Sequence, residues 1–347
     1  MKKIIHVLNT NSFSGAENVA ITIIQKINEK TDYISCYASY DGPINVFLNE
    51  KKIKHIVFEK LSVKNIKKII RDEKPDILHC HDFTASVISS LAKGKSNVKI
   101  ISHLHANPVW IRSINLKTLI YKICLKKISV VLAVSNSIFD EFKFTIENKK
   151  MISNPIDIKS IIKESESCHY DDQQEYDILF LGRLESPKDP LRFINIIAEL
   201  QKKNKNISVA MVGDGKLKSE CELLIKKLNL SDNIHLKGFK SNRLAFIKHS
   251  KILCVTSVWE GFGLMVIEAL ALSKPIVASP VGGLLEIIND KCGCFCSTNK
   301  EYVDELFNLL SDNDYYNQKV EASKKRGYEL DNIKTYIQNL IEIYEKI

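Results

Sequence analysis

No stretch of the 347 residues approaches the ~20 uninterrupted apolar side chains that a bilayer-spanning helix needs, so any membrane contact must be peripheral. Behind Lys2 and Lys3 the apolar stretch is only Ile4, Ile5, His6, Val7 and Leu8, too short for the core of a signal peptide, which argues for a cytoplasmic protein. A disulfide framework is missing too. The nine cysteines are odd in number and scattered along a long chain, which suits a reducing compartment. Cys292, Cys294 and Cys296 alternate, a spacing that in a strand puts all three on one face, and no second Cys or His pair completes a zinc pattern. Neither half carries GxGxxG behind its first strand, where NTNSFSGAEN and GRLESPKD stand instead, and this argues against a nicotinamide enzyme. There is no repeat of fixed short period, no low-complexity tract and no stripe of interleaved aromatic and basic residues, so a nucleic-acid-binding protein is the weakest of the readings.

What remains is the composition of an ordinary globular protein, 45% hydrophobic and 26% charged, with enough length for two domains. Its net charge of +9 is uneven. Residues 1–165 hold 26 Lys and Arg against 15 Asp and Glu, whereas residues 166–347 hold 24 against 26. The basic half suits an anionic partner, a membrane face or a phosphate-bearing substrate, unless it only reflects a Lys-rich composition. β-rich runs at Ile4–Leu8, Tyr33–Ser39, His55–Glu59, Asp76–His81, Lys99–His105 and Val130–Ser135 alternate with helical patterns. The polar segment Lys163–Tyr176 reads as a connection, and alternation restarts with strands near 177–181, 207–212, 234–236, 252–256 and 276–279. The expected architecture is α/β: two facing Rossmann-like, doubly wound domains, 1–165 and 166–330, with a cleft between them and a final helix, 331–347, packing back on the first.

The most informative stretch is SVWEGFGLMVIEALALSKPIVAS, behind the strand that ends at Thr256. Glu260 and Glu268 flank a turn with Gly261, Phe262 and Gly263 and a helix starting near Leu264. Glycines let a ligand approach the backbone, the free amides of a first helical turn favour negative charge, and a carboxylate at Glu268 accepts two hydrogen bonds at once, as a ribose diol would offer them. From spacing alone, a strand-turn-helix with exposed glutamates is an equal alternative.

The set of motifs resembles the retaining glycosyltransferases of family 4, which have the GT-B arrangement of two Rossmann-like domains. The resemblance is carried by EGFGLMVIEALALSKPIVASPVGG, by GRLESPKDP, by MVGDGKLKSECELLIKKLNLSDNIHLKGF, by NPID at Asn154–Asp157 and by SGAENVA near the start. It implies that Glu268 holds the donor ribose, that Glu260 contacts the donor sugar, and that Arg183 and Lys188 grip the diphosphate, where preset cations stabilise the charge of the departing nucleotide. Gly282 and Gly283 are expected to offer amides to the donor, and Gly238, Phe239 and Lys240 to lie near the base. Gly15 matches a glycine pair near the phosphates or acceptor, with Ser14 in place of the pair's first member.

Four histidines end two strands, His79 and His81 in LHCHDF, and His103 and His105 in SHLHAN, a pattern that fits structural residues and, less readily, a metal site. The resemblance places His105 beside the anomeric carbon of the donor and makes His81 a candidate on the acceptor side. Asp312, Asn313 and Asp314 form the Asp-x-Asp pattern that binds a divalent metal in transferases of another architecture, but they read here as a helix cap, so no metal or other cofactor is expected. In LKTLIYKICLKK, Leu116, Leu119, Ile120 and Ile123 recur at helical spacing among lysines, a pattern fitting either a membrane surface or the core. The resemblance thus implies retaining transfer of a hexosyl or N-acetylhexosaminyl group from a nucleoside diphosphate sugar, a UDP-sugar by preference, to a lipid-linked saccharide in cell-surface polysaccharide synthesis, on the inner face of the membrane. A sugar-nucleotide epimerase of the same fold is the alternative.

Overall fold

The computed structural model describes residues 2–12, 15–105, 108–170, 172 and 174–347. The chain divides into two units, residues 1–155 with 332–347, and residues 156–331.

The first unit is built on seven strands: β1 (Lys3–Val7), β2 (Ile34–Ser39), β3 (His55–Val57), β4 (Ile77–Cys80), β5 (Lys99–Leu104), β6 (Val130–Ala133) and β7 (Lys149–Met151). All pair in parallel in the order β3-β2-β1-β4-β5-β6-β7. Helices cover both faces, so the central strands are buried on both sides, and β4 is buried at every residue. Neighbouring residues of β1 serve opposite layers. Ile5 and Val7 pack with Leu78, Ile100 and Tyr121, while Ile4 packs with Ile23, Ile77 and Ile101. Onto this second layer the last helix, Ile333–Lys346, lays Ile333, Tyr336, Ile337, Leu340, Ile343 and Tyr344, which recur every three or four residues and so share one face.

The second unit repeats the plan with β8 (Tyr176–Leu181), β9 (Val209–Val212), β10 (Ile234–Gly238), β11 (Ser250–Val255), β12 (Ile276–Ala278) and β13 (Gly293–Phe295), parallel in the order β10-β9-β8-β11-β12-β13. Phe193, Ile197, Tyr302 and Leu306 cover one face, and Phe246, Val266, Ile267 and Leu270 the other. In each sheet the winding direction reverses once, between β1 and β4 and between β8 and β11. Loops at such a reversal diverge and leave the crevice that ligands of open α/β sheets occupy.

Two expectations are corrected. The boundary falls at Pro155, ten residues before 165, because Ile158–Ser167 is a helix of the second unit, capped by the Asp157 side chain. Ile161, Ile162 and Cys168 pack into the core that holds Phe246 and Val266, and residues 163–167 of the supposed connection are helical. Nor do the three clustered cysteines share one environment. Cys294 and Cys296 pack with Tyr302, whereas Cys292 precedes the short β13 in a turn closed by Asn289, and its side chain enters the opposite core. Asp312 caps the helix Asn313–Leu330, its carboxylate accepting from the Tyr315 amide at 2.9 Å.

Candidate active site

The loops that follow β8 and β11, on either side of the reversal, bring two of the predicted residues into contact: Lys188 forms an ion pair with Glu260. The pair is held by the backbone around it. Lys188 ends a turn of 3-10 helix, and the Thr256 hydroxyl at the end of β11 donates to the Lys188 and Asp189 carbonyls (3.1 and 3.0 Å). The Val258 amide donates to the Pro187 carbonyl (2.9 Å), and the Ser257 hydroxyl donates to Glu260 (3.3 Å). Side chains of Lys188 and Glu260 are only 17% and 12% exposed, so the cation and carboxylate are preset rather than swept through solvent. Arg183 stands apart, 71% exposed and paired with Glu185 at 3.0 Å, free to turn toward an anion with little desolvation to overcome.

Glycines make the close approach of these loops possible. Gly282 has φ +52°, and a Cβ on it would fall 1.9 Å from the Glu260 carbonyl oxygen; one on Gly283 would fall 2.2 Å from that of Gly261. Loop thus lies directly on loop, backbone against backbone. This modifies the expected role of Gly283, whose amide is spent on the Glu260 carbonyl (3.3 Å). Gly263, also at positive φ, starts the helix Leu264–Ala271 without any side-chain cap.

Glu268, one turn along that helix, is buried, and its partner is a residue that no motif marks. Arg243, at the start of the helix Arg243–Lys248, spans the carboxylate with its fork, Nε to Oε2 at 3.0 Å and Nη2 to Oε1 at 2.5 Å. Burial opposes the Arg243 charge, but Glu268 outweighs it and holds the guanidinium above its ordinary pKa. Each carboxylate oxygen keeps a second lone pair, enough to accept from a diol. Gly238 closes β10 at φ +66° and its carbonyl accepts from the Gly213 amide (2.8 Å). Next to it Phe239 presents its ring 66% exposed, an open stacking surface, and Lys240 lies over the Phe246 ring.

In the first unit, Gly15 opens the helix Gly15–Lys30 behind β1; Ser14 lies outside the described residues. The four histidines meet at the β1–β4 reversal and are joined by a fifth, His6 of β1, which stands opposite His79 in the parallel register. His81 bonds His6 through Nε2 (2.8 Å) and His105 through Nδ1 (2.9 Å). Both of its nitrogens are therefore engaged inside the histidine cluster. Burial pushes the His105 ring down to about 4 and His6 to about 3, so both are neutral at pH 7.

The helix Leu116–Cys124 buries Thr118, Tyr121 and Cys124 and turns Leu116, Leu119, Ile120 and Ile123 outward, 73%, 47%, 37% and 69% exposed. Of the two readings of this helix, the core-facing one is thereby corrected. Among the described residues no helix is long and apolar enough to cross a membrane.

Known proteins share both units. Residues 15–160 match Glycosyltransferase Family 4 and residues 163–326 match Glycosyl transferases group 1. An uncharacterised glycosyltransferase of Methanocaldococcus jannaschii is 28% identical over 72% of this chain and 68% of its own length. A Campylobacter jejuni enzyme named as an α-1,4-N-acetyl-D-galactosaminyltransferase acting on a diphospho-undecaprenol-linked saccharide is 23% identical over 96% of both chains. The crystal structure of Anabaena HepE in complex with UDP and glucose superposes with a TM-score of 0.81 over the full length of both chains at 18% identity. With both halves matched in order, the chain belongs to the glycosyltransferases of GT-B fold, family 4 in its first unit and group 1 in its second.

Proposed function

We propose that this glycosyltransferase moves a hexosyl or N-acetylhexosaminyl group from a UDP-sugar to a hydroxyl of a lipid-linked saccharide, with retention of configuration and without a metal at the donor phosphates. The observation that carries the donor half is the preset pair Lys188–Glu260 at the reversal of the second sheet. When the diphosphate arrives, Lys188 can exchange its carboxylate for phosphate oxygens, and Arg183, exposed beside it in sequence, supplies the second cation. Charge that develops on the leaving nucleotide is met by groups already in place, which is the most effective form of electrostatic catalysis. Glu260, released from Lys188, accepts from sugar hydroxyls; Glu268, still held by Arg243, accepts from the ribose. Phe239 offers its ring to the base, and His105, neutral, is assigned to the transferred sugar. No side chain is asked to act as base, since the departing phosphate can take the acceptor proton.

The acceptor half rests on the exposed apolar face of Leu116–Cys124. Four large apolar side chains turned outward among Lys117, Lys122, Lys126 and Lys127 suit an anionic leaflet, where the apolar face sinks to the acyl boundary and lysines meet lipid phosphates. A lipid-linked acceptor would be presented at that surface, on the cytoplasmic side, and the Campylobacter relative is named for such a substrate. Incubation of the protein with radiolabelled UDP-N-acetylgalactosamine, UDP-N-acetylglucosamine, UDP-glucose or UDP-galactose and extracted polyprenyl-diphosphate saccharides tests the reading. Label should pass to the organic phase with one of them and stay in the aqueous phase for Glu268→Ala. Transfer supported only by GDP- or ADP-sugars, or nucleotide sugar epimerised without acceptor, would overturn it.

A further inference from the structure

Two of the alternating cysteines near β13 meet, and neither has a part in the proposed transfer. Cys294 and Cys296, two residues apart, both pack with Tyr302, and their thiols share a hydrogen bond. Cys296 is buried, whereas Cys294 is half-buried and within reach of small solutes. The bond favours a thiolate at Cys294 and keeps the proton on Cys296, so the Cys294 thiol lies below its ordinary pKa and that of Cys296 above. A reachable thiolate with a second thiol at hand is the arrangement that oxidants select.

We propose that Cys294 and Cys296 are a modification site, which a hydroperoxide oxidises to a disulfide that loosens the donor loops. The Cys294 thiolate attacks the terminal peroxide oxygen and the O–O bond breaks. The alkoxide that departs, or hydroxide in the case of hydrogen peroxide, takes a proton from solvent and leaves a sulfenic acid at Cys294. Cys296 then attacks that sulfur: the S–S bond forms, the S–O bond breaks, and hydroxide leaves as water with the Cys296 proton. Two thiols are oxidised and one peroxide is reduced. At a rise of ~3.3 Å, residues two apart in a strand stand about 6.6 Å apart, near the upper limit for a disulfide. β13 lies at the edge of its sheet and ends at Phe295, so the chain can pucker to close the bond. A link made under such constraint is easily reduced, which suits a reversible switch.

Tyr302 carries the effect. Its hydroxyl donates to the Val255 carbonyl (2.8 Å) and bonds the Ser279 hydroxyl (2.9 Å). Val255 ends β11 and Ser279 follows β12, and from these points leave the two loops that touch at Glu260 and Gly282. Cys296 packs with Tyr302 and stands three residues before the helix Asn299–Ser311 that bears it. Drawing the Cys296 sulfur toward Cys294 shifts Tyr302 and frees both strand ends. That a donor feels this rests on the transferase reading; the disulfide itself does not.

Reduced full-length protein treated with hydrogen peroxide, then unfolded, alkylated and mapped by peptide mass, tests the proposal. A Cys294–Cys296 link should appear, lighter by two hydrogens, with Cys292 still open to alkylation, and dithiothreitol should reverse it. Amide exchange across residues 256–263 and 279–284 should quicken on oxidation of the wild type and not of Cys294→Ser. Coupled sites commonly shift each other's affinity ~5- to 150-fold, so UDP should bind at least about fivefold more weakly to the oxidised protein. A Cys254–Cys296 link, or oxidation of Cys294 without a link, would overturn the pair. Exchange or UDP affinity unchanged by the disulfide would overturn the switch. If the reduced wild type binds no UDP, the transferase reading fails, and mapping and exchange still decide the redox site. Should Cys294→Ser not fold, reversal of both signals by dithiothreitol serves as the control.

Discussion

Arg243 holds both oxygens of Glu268, with contacts of 3.0 and 2.5 Å, so the carboxylate expected to meet the donor ribose is locked before any donor arrives. The pair is buried, and this decides how its members should respond to substitution. Removing one partner of a buried pair strands a charge and costs about 3–5 kcal/mol, whereas replacing both with apolar groups is often nearly neutral. Arg243→Met should therefore lower thermal stability sharply, and Arg243→Met combined with Glu268→Leu should recover most of the loss. If the pair serves the donor, the double variant stays inactive in the transfer assay despite its recovered melting temperature.

Gly282→Ala should damage the same site through the backbone. A non-glycine residue in the left-handed region costs roughly 1–2 kcal/mol, and here the added methyl would also meet the Glu260 carbonyl oxygen at 1.9 Å. The loop bearing Glu260 must move, so protection from thermal unfolding by UDP should fall while the far-ultraviolet circular dichroism is unchanged. Equal UDP protection in wild type and variant would mean that the two loops do not shape the site.

Much of this was legible beforehand, for definable reasons. Strands buried on both faces, such as β9 and β12, appear as short apolar runs, and the glycine-rich turn between Glu260 and Glu268 marks where a backbone must come close. Arg243 was hidden because a single cation after a polar loop has no periodicity, and only the packing of its helix on Leu264–Ala271 brings it to Glu268. His6 was hidden differently: it is one residue in an otherwise apolar strand, and it joins the cluster because β1 lies beside β4 in the sheet. β7 was missed since all three residues, Lys149–Met151, are exposed at an edge and leave no apolar signature. The helix Ile158–Ser167 was obscured by the polar stretch that begins within it.

Ile123→Glu with Leu116→Glu tests the membrane face. Both residues are largely exposed, so the melting temperature should stay within about 1–2 °C of the wild type, in keeping with the small effects of surface substitution. Cosedimentation with vesicles of phosphatidylglycerol and phosphatidylethanolamine should fall to the level seen with neutral vesicles. Undiminished cosedimentation would assign the membrane contact to another surface.

Asp312→Ala separates capping from chemistry. Loss of the 2.9 Å bond to the Tyr315 amide should cost ~1 kcal/mol, the usual worth of an N-cap. Donor turnover per folded molecule should be unaltered, and a large loss of turnover would favour a role in the reaction over a helix cap for Asp312.

The central claim is that the reversal of the second sheet grips a nucleoside diphosphate through Glu268, Lys188 and their neighbours. Titration calorimetry of UDP into the wild type and into Glu268→Gln tests it most directly, since the substitution keeps the shape and removes the charged acceptor. The account predicts one UDP per chain and an affinity at least tenfold weaker in the variant, the equivalent of about 1.4 kcal/mol. UDP affinity unchanged by Glu268→Gln in a folded protein would contradict it.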